Sequence, residues 1–236
     1  GTITDNDGDA PTLSISDVTV VEGVDAVFAV SLDKPSFESI TVALATAEGT
    51  ALDPEDYTGY SGGSITFAPG ETSKNITIAT IDDAIYEVTE NFTLNGEVTS
   101  GTTVNTTASG TGTITDNDGD APTLSISDVS VVEGVDAVFA VSLDKPSFES
   151  ITVALATVEG TALDPEDYTG YTGGAITFAP GETSKNITIV TIDDAIYEVD
   201  ENFTLNGEVT SGTTANPSTD ATGTITDNGG DGPTLP

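Results

Sequence analysis

The eleven residues Gly1–Pro11 return at Gly112–Pro122, and once more in altered form at Gly223–Pro233, with an offset of 111 residues each time. Aligning 12–122 with 123–233 leaves about 14 differences, among them Thr19/Ser130, Ala47/Val158 and Thr89/Asp200. A period this long exceeds the common solenoid repeats and matches one β-sandwich domain, so each copy can bury its own core. The repeat predicts a first domain over 12–118, a linker over 119–122 and a second domain over 123–229. Residues 1–11 read as the last strand and linker of a preceding copy, and 230–236 as the start of a further linker. The chain thus reads as a piece of a longer array, so the lack of a leader or of an apolar run says little about the parent. Gly119-Asp120-Ala121-Pro122 is a short junction whose proline restricts its neighbour to extended backbone, as in a stiff rod.

Within one period, apolar residues alternate with polar ones. Leu13 and Ile15 open a first strand, which Asp17 interrupts before Val18–Val21 resumes; the break predicts a bulge or a switch between sheets. Ala26, Phe28, Val30 and Leu32 share a face of a second strand, and Ile40, Val42 and Leu44 of a third. Ile65 and Phe67 mark a fourth, Ile76 to Ile81 a fifth, Phe92, Leu94 and Val98 a sixth, and Gly110–Thr115 a seventh. Seven short strands with turn residues between them predict an all-β sandwich held by its two inner faces. Tyr57, Tyr60 and Phe37 are expected as half-buried packing residues.

The charge is lopsided: 40 Asp and Glu against four lysines give a net −36. Nucleic acid and anionic membrane surfaces are excluded as partners because both would be repelled. Four carboxylates fall between Asp82 and Glu90 and four between Asp193 and Glu201, with a fifth, Asp200, beside them in the second copy. In a sandwich, alternate loops share a pole. Asp82, Asp83, Glu87, Glu90, Asp116, Asn117 and Asp118 therefore meet at one pole, where Glu22 and the Asp56 loop join them. Their repulsion amounts to several kcal/mol at an effective dielectric of about 20, and a hard cation removes it. Calcium takes six to eight oxygen ligands in adaptable geometry, whereas zinc, copper and iron want the His and Cys that this chain lacks. With no Cys for disulfides, a metal is also the available staple.

The ordered motifs resemble the Calx-beta domain: Glu-Gly after the first strand, Gly-Thr-Ala-x-x-Pro-x-Asp-Tyr, Phe-x-Pro-Gly-Glu-Thr-x-Lys, Ile-x-Asp-Asp-x-x-x-Glu-x-x-Glu-x-Phe and a closing Gly-Thr-Ile-Thr-Asp-Asn-Asp. The resemblance covers both copies nearly end to end. It implies two tandem seven-stranded immunoglobulin-like sandwiches with Ca2+ at the pole where the last strand exits. The ligands it implies are Glu22, Asp56, Asp82, Asp83, Glu87, Glu90, Asp116 and Asp118 with the carbonyl of Ile85. In the second copy they are Glu133, Asp167, Asp193, Asp194, Glu198, Glu201 and Asp227 with the carbonyl of Ile196. Ala84 and Ala195 stand where exchanger-like members carry a third Asp, and Asn117 and Asn228 where they carry another; Gly229 replaces the counterpart of Asp118. Fewer charges predict a weaker or missing ion, above all in the second copy.

Other readings are less consistent with the residues. Glu38, Glu48, Glu55, Glu71 and Glu97 are solvated surface charges. Asp116–Asp120 starts like an EF-hand loop, but Ala121 and Ser127 occupy its sixth and twelfth positions. Nothing pairs two carboxylates across a sugar cleft, and a serine triad lacks its histidine base, so no enzyme is expected. The resemblance extends to sodium–calcium exchangers, an integrin subunit and bacterial surface adhesins. Near-identical copies point to a non-enzymatic extender of an extracellular adhesin at the bacterial cell surface. Its partners would be calcium ions and neighbouring repeats, with a distal ligand undefined and no membrane insertion of its own. Calcium would stiffen the joint, with Asp120 a possible added ligand. The alternatives are an adhesion module that itself binds carbohydrate or protein, and the calcium sensor of a transporter.

Overall fold

The computed structural model describes residues 8–229. The strand expected in residues 1–7 and the linker expected at 230–236 lie outside the described residues. The chain forms two compact units. One is built from residues up to Asp83 together with Val88–Asn117, the other from Ala84–Glu87 together with residues from Asp118 on.

In the first unit the strands are β1 (Leu13–Ile15), β2 (Val18–Val21), β3 (Ala26–Leu32), β4 (Ile40–Glu48), β5 (Gly63–Phe67), β6 (Ser73–Ile78), β7 (Glu90–Ser100) and β8 (Thr107–Thr115). They make a three-stranded sheet ordered β1-β3-β6 and a five-stranded sheet ordered β2-β8-β7-β4-β5. The break at Asp17 is the switch between sheets: β1 pairs antiparallel with β3, while β2 runs parallel to β8. Asp17 fixes that crossing, its carboxylate accepting the amide of Thr111 at 2.7 Å. The first expected strand is thereby divided in two. The fifth ends at Ile78, short of Ile81, and Thr80 returns as a single antiparallel bridge to Tyr57.

Alternation puts Phe28, Val30, Ile40, Val42, Ile78, Phe92 and Leu94 into one core between the sheets, each essentially without solvent contact. Phe92 anchors it, stacked on Tyr57 at 4.2 Å between centroids and edge-on to Phe28 at 5.8 Å. Such ring pairs add about 0.5–1.5 kcal/mol each beyond the area they bury. Tyr57 is therefore fully buried, not half-buried. Phe37 departs the other way: it sits in the loop after β3 and is 91% exposed.

The second unit repeats the plan with β9 (Leu124–Ile126), β10 (Val129–Val132), β11 (Ala137–Leu143), β12 (Ile151–Glu159), β13 (Gly174–Phe178), β14 (Ser184–Ile189), β15 (Glu201–Ser211) and β16 (Ser218–Thr226). Its sheets are ordered β14-β11-β9 and β10-β16-β15-β12-β13. Phe203 takes the place of Phe92, stacked on Tyr168 at 4.3 Å and edge-on to Phe139 at 5.8 Å. Among the described residues no helix is long and apolar enough to cross a membrane.

Candidate metal centre

Three separated segments of the second unit bring their acids together. The first is the loop after β12. The amide of Asp167 donates to the carbonyl of Leu163 at 2.9 Å, and the amide of Leu163 donates back to the Asp167 carboxylate at 2.6 Å. The next residue, Tyr168, is locked into the core and bridges Thr191, and the amide of Ile192 donates to the Asp167 carbonyl at 2.9 Å. Asp167 is thus held from both sides, with Asp193 and Asp194 following directly on Ile192, which holds it. The second segment is the start of β15, where Glu201 pairs with Ile225 and Glu198 lies three residues upstream. The third is the exit of β16, carrying Asp227 and Asn228.

Asp167, Glu198 and Glu201 each offer a carboxylate oxygen, and these oxygens lie within 4.8 Å of one another. Calcium–oxygen distances of about 2.4 Å allow two oxygens on one ion to stand up to about 4.8 Å apart, so the three can share an ion. The electrostatics record the crowding. Burial, then the hydrogen bond and charge of Asp167, then the charge of Glu198, push the Glu201 carboxyl up to about 7. Burial also raises Glu198, with the charges of Asp167, Asp194, Glu133 and Asp227 acting in the same direction. These are six of the seven acids expected in the second copy.

The seventh, Asp193, lies in a hydrogen-bonded chain. The Asn228 amide N–H donates to Glu133 at 2.9 Å, and the Asn228 side-chain NH2 donates to Asp193 at 2.8 Å. Gly134 makes room for Asp193: it has φ +73°, and a Cβ there would lie 2.8 Å from the Asp193 Cβ. The Glu-Gly dipeptide is therefore a unit in which the acid takes part and the glycine lets its neighbour approach. The role of the asparagine is not apparent from its identity. Read along the chain, it is a ligand with a charge missing; in place, it donates a hydrogen to a carboxylate that an Asp there would repel. Next to these acids the Ile196 amide donates to the Asp194 carboxylate at 2.7 Å.

The first unit shows the same chain. The Asn117 amide donates to Glu22 and its side chain to Asp82, both at 2.8 Å. Oxygens of Asp56 and Glu90 lie within 4.8 Å, as do those of Glu22 and Asp83. Asp56 is fixed like Asp167, accepting the Leu52 amide at 2.6 Å. Asp116 is half-buried at the end of β8. Glu87 and Asp118 fall within the segments that pack in the second unit. The lysines are engaged with other groups: Lys74 and Lys185 bind Glu71 and Glu182 at 2.8 Å, and Lys34 and Lys145 donate to the carbonyls of Asp9 and Asp118.

The donor set is all oxygen and mostly anionic, which fits calcium and fits a softer metal poorly. The residues named above would hold the ion, and the ion would supply positive charge joining three chain segments.

A family model described as the Calx-beta domain matches residues 5–120 and 115–229. Sodium/calcium exchanger 1 of Canis lupus familiaris is 28% identical over 187 residues, covering 71% of this chain and 19% of that protein. Extracellular matrix protein 3 of Lytechinus variegatus is 29% identical over 195 residues, covering 76% of this chain and 6% of that protein. The chain therefore spans less than a fifth of the length of these curated relatives. Among solved structures, the calcium binding domain CBD12 of CALX1.1 is 23% identical with a TM-score of 0.40, covering 83% of this chain and 79% of that one. CBD12 from CALX1.2 is 19% identical at the same TM-score, covering 90% and 99%.

Proposed function

The chain belongs to the Calx-beta family, and from that membership we propose that each repeat binds calcium and that the pair works through the order the ion imposes on its loops. The observation that carries this reading is the triple Asp167, Glu198 and Glu201, whose oxygens lie close enough together to share one ion. In the second repeat we assign these three as ligands, with Glu133, Asp193, Asp194 and Asp227 around them. In the first repeat Asp56 and Glu90, with Glu22, Asp82, Asp83 and Asp116, play the same parts. Titration calorimetry with calcium, and with magnesium as the comparison, tests the assignment. Heat of binding at millimolar calcium is expected, and none at that concentration overturns it.

The setting that the relatives favour is calcium sensing for a transporter, since several of them are sodium/calcium exchangers. In that setting occupancy of the pole changes the module's rigidity, and a neighbouring part of the parent reads the change. A second reading, an extracellular extender of a surface adhesin, is supported by the near-identity of the two copies and by the extracellular matrix relative. Chelation separates the two when the tandem is examined within its parent protein. A changed transport rate supports the sensor, and a shortened projection of the cell-surface protein supports the extender.

A further inference from the structure

The outer face of the five-stranded sheet, away from the acidic pole, carries unusually short side chains. Pairing puts Ser64 of β5, Ala43 of β4 and Glu97 of β7 in one row across the strands, with Ala45 and Asn95 beside them on the same face. The second unit repeats the row as Ala175, Ala154 and Glu208, beside Ala156 and Asn206. There Asp220 faces Asn206, where the first unit has Ser109. With so little side chain on it, the face is hollowed into a groove of about 670 Å³ in the first unit and about 740 Å³ in the second. Glu97 and Glu208 are exposed in it, and among the described residues neither has a hydrogen-bond or ion-pair partner.

The groove opens onto an unguarded sheet edge. β5 and β13 end their sheets, each paired on one side only, with β4 and β12. Their sequences, Gly-Ser-Ile-Thr-Phe and Gly-Ala-Ile-Thr-Phe, hold neither the lysine nor the proline that commonly blocks an edge. The junctions between repeats lie on the other flank: the chain enters through β1, which packs against β8, and leaves through β8, from which β7 and β4 separate β5. Accordingly Ser64 and Ala175 are both exposed, the first in a repeat with a copy after it and the second in a repeat with a copy before it.

We propose that each of these edges takes up an extended, basic segment of a partner polypeptide, which adds to β5 or β13 as a further strand. Neighbouring strands stand about 4.8 Å apart, so the added strand lies about 14 Å from β7. A lysine or arginine laid over Ser64 and Ala43 spans that distance together with Glu97, its stem covering the alanine floor and its charged end meeting the carboxylate. A second copy of this chain is the wrong occupant, since it brings a net charge of −36 and lysines already engaged. The contact does not depend on the calcium assignment.

The probe is a short synthetic peptide of alternating lysine and threonine, whose lysines all fall on one face of a strand. Its twin, with every backbone nitrogen methylated, has the same charge and cannot pair along an edge. Fluorescence anisotropy with the unaltered tandem at about 0.15 M salt is expected to show the first bound about tenfold tighter than the second, because edge addition rests on several main-chain hydrogen bonds. Ser64→Lys with Ala175→Lys puts a cation beside each glutamate and guards each edge, and should weaken the peptide about tenfold. Thr77→Lys with Thr188→Lys adds the same charge at exposed positions of β6 and β14, and should leave binding within about twofold. Equal binding of the two peptides, or equal loss from the two lysine pairs, means attraction by net charge alone and overturns the proposal. So does a lysine–threonine peptide that fails to bind the unaltered tandem at about 1 mM.

Discussion

The loops Ala84–Glu87 and Ala195–Glu198 have one sequence and two environments. Ile85 and Tyr86 are half-buried, while Ile196 and Tyr197 stand out in solvent. Three residues downstream the difference persists: Glu90 is 8% exposed, whereas Glu201 is half-buried. The cores below do not share it, because Phe92 and Phe203 are both sealed and make the same ring contacts. The comparison separates what a repeat encodes for itself from what its surroundings decide. Strands and ring packing belong to the repeat. The cover over its acidic pole is set by what lies against the loop.

The largest effect tests whether the cores are equal. Phe92→Ala and Phe203→Ala should each cost about 3–5 kcal/mol, read as the loss of one of two transitions in chemical denaturation. Clearly unequal costs would carry the loop difference down into the core. Next comes calcium. At a hundredfold excess over its dissociation constant the ion adds about 2.7 kcal/mol to a repeat, which raises melting by about 10 °C or more for a domain of this size. Asp167→Asn with Glu201→Gln should abolish the rise for the second repeat alone, and Asp56→Asn with Glu90→Gln for the first. Equal rises in the unaltered repeats would show that the loop's cover has no influence on the ion.

A smaller effect follows from the Glu201 carboxyl, raised from 4.5 to about 7. Between those values the folded second repeat binds more protons than the unfolded chain, so its stability falls as pH rises through that window and is fully present below it. Melting in chelator across the window should show the fall, and Glu201→Gln should flatten it. The smallest effect concerns Gly110, whose counterpart is Ala221. A Cβ at Gly110 would lie 2.4 Å from the Ser16 carbonyl oxygen. The second unit, which has that Cβ, holds its Ser127 hydroxyl 3.4 Å from the Ala140 amide, against 2.9 Å for Ser16 and Ala29. Gly110→Ala is therefore expected to change stability by about 1 kcal/mol or less, the shift being offset by a stiffer unfolded chain. Thermal melting checks it.

Much of the fold is written in alternation: Phe28, Val42 and Phe92 lie on inner faces because every second residue of a strand does. The break at Asp17 is visible as an acid in an apolar run, and its meaning as a change of sheet follows from the amide it accepts. The pole is legible for a related reason, since dense carboxylates on strand ends have few places to point. What alternation and charge do not record is partnership at a distance. Asn117 and Asn228 look like weakened ligands until they are seen donating to Asp82 and Asp193. Phe37, expected to pack, has the same neighbours in sequence as Phe148, and nothing local tells the two apart.

The parallel pairing of β2 with β8, Val18 beside Gly112 through Val21 beside Thr115, has a mechanical consequence. The chain passes from β1 across the break at Asp17 into β2 and leaves the repeat from the end of β8, the parallel neighbour of β2. Tension along the backbone therefore pulls the two strands lengthwise past each other, and the hydrogen bonds of the ladder are loaded together in shear instead of opening one by one like a zip. Acids gather where the pulled strand exits, so an ion held there as proposed would sit at the loaded end of that ladder.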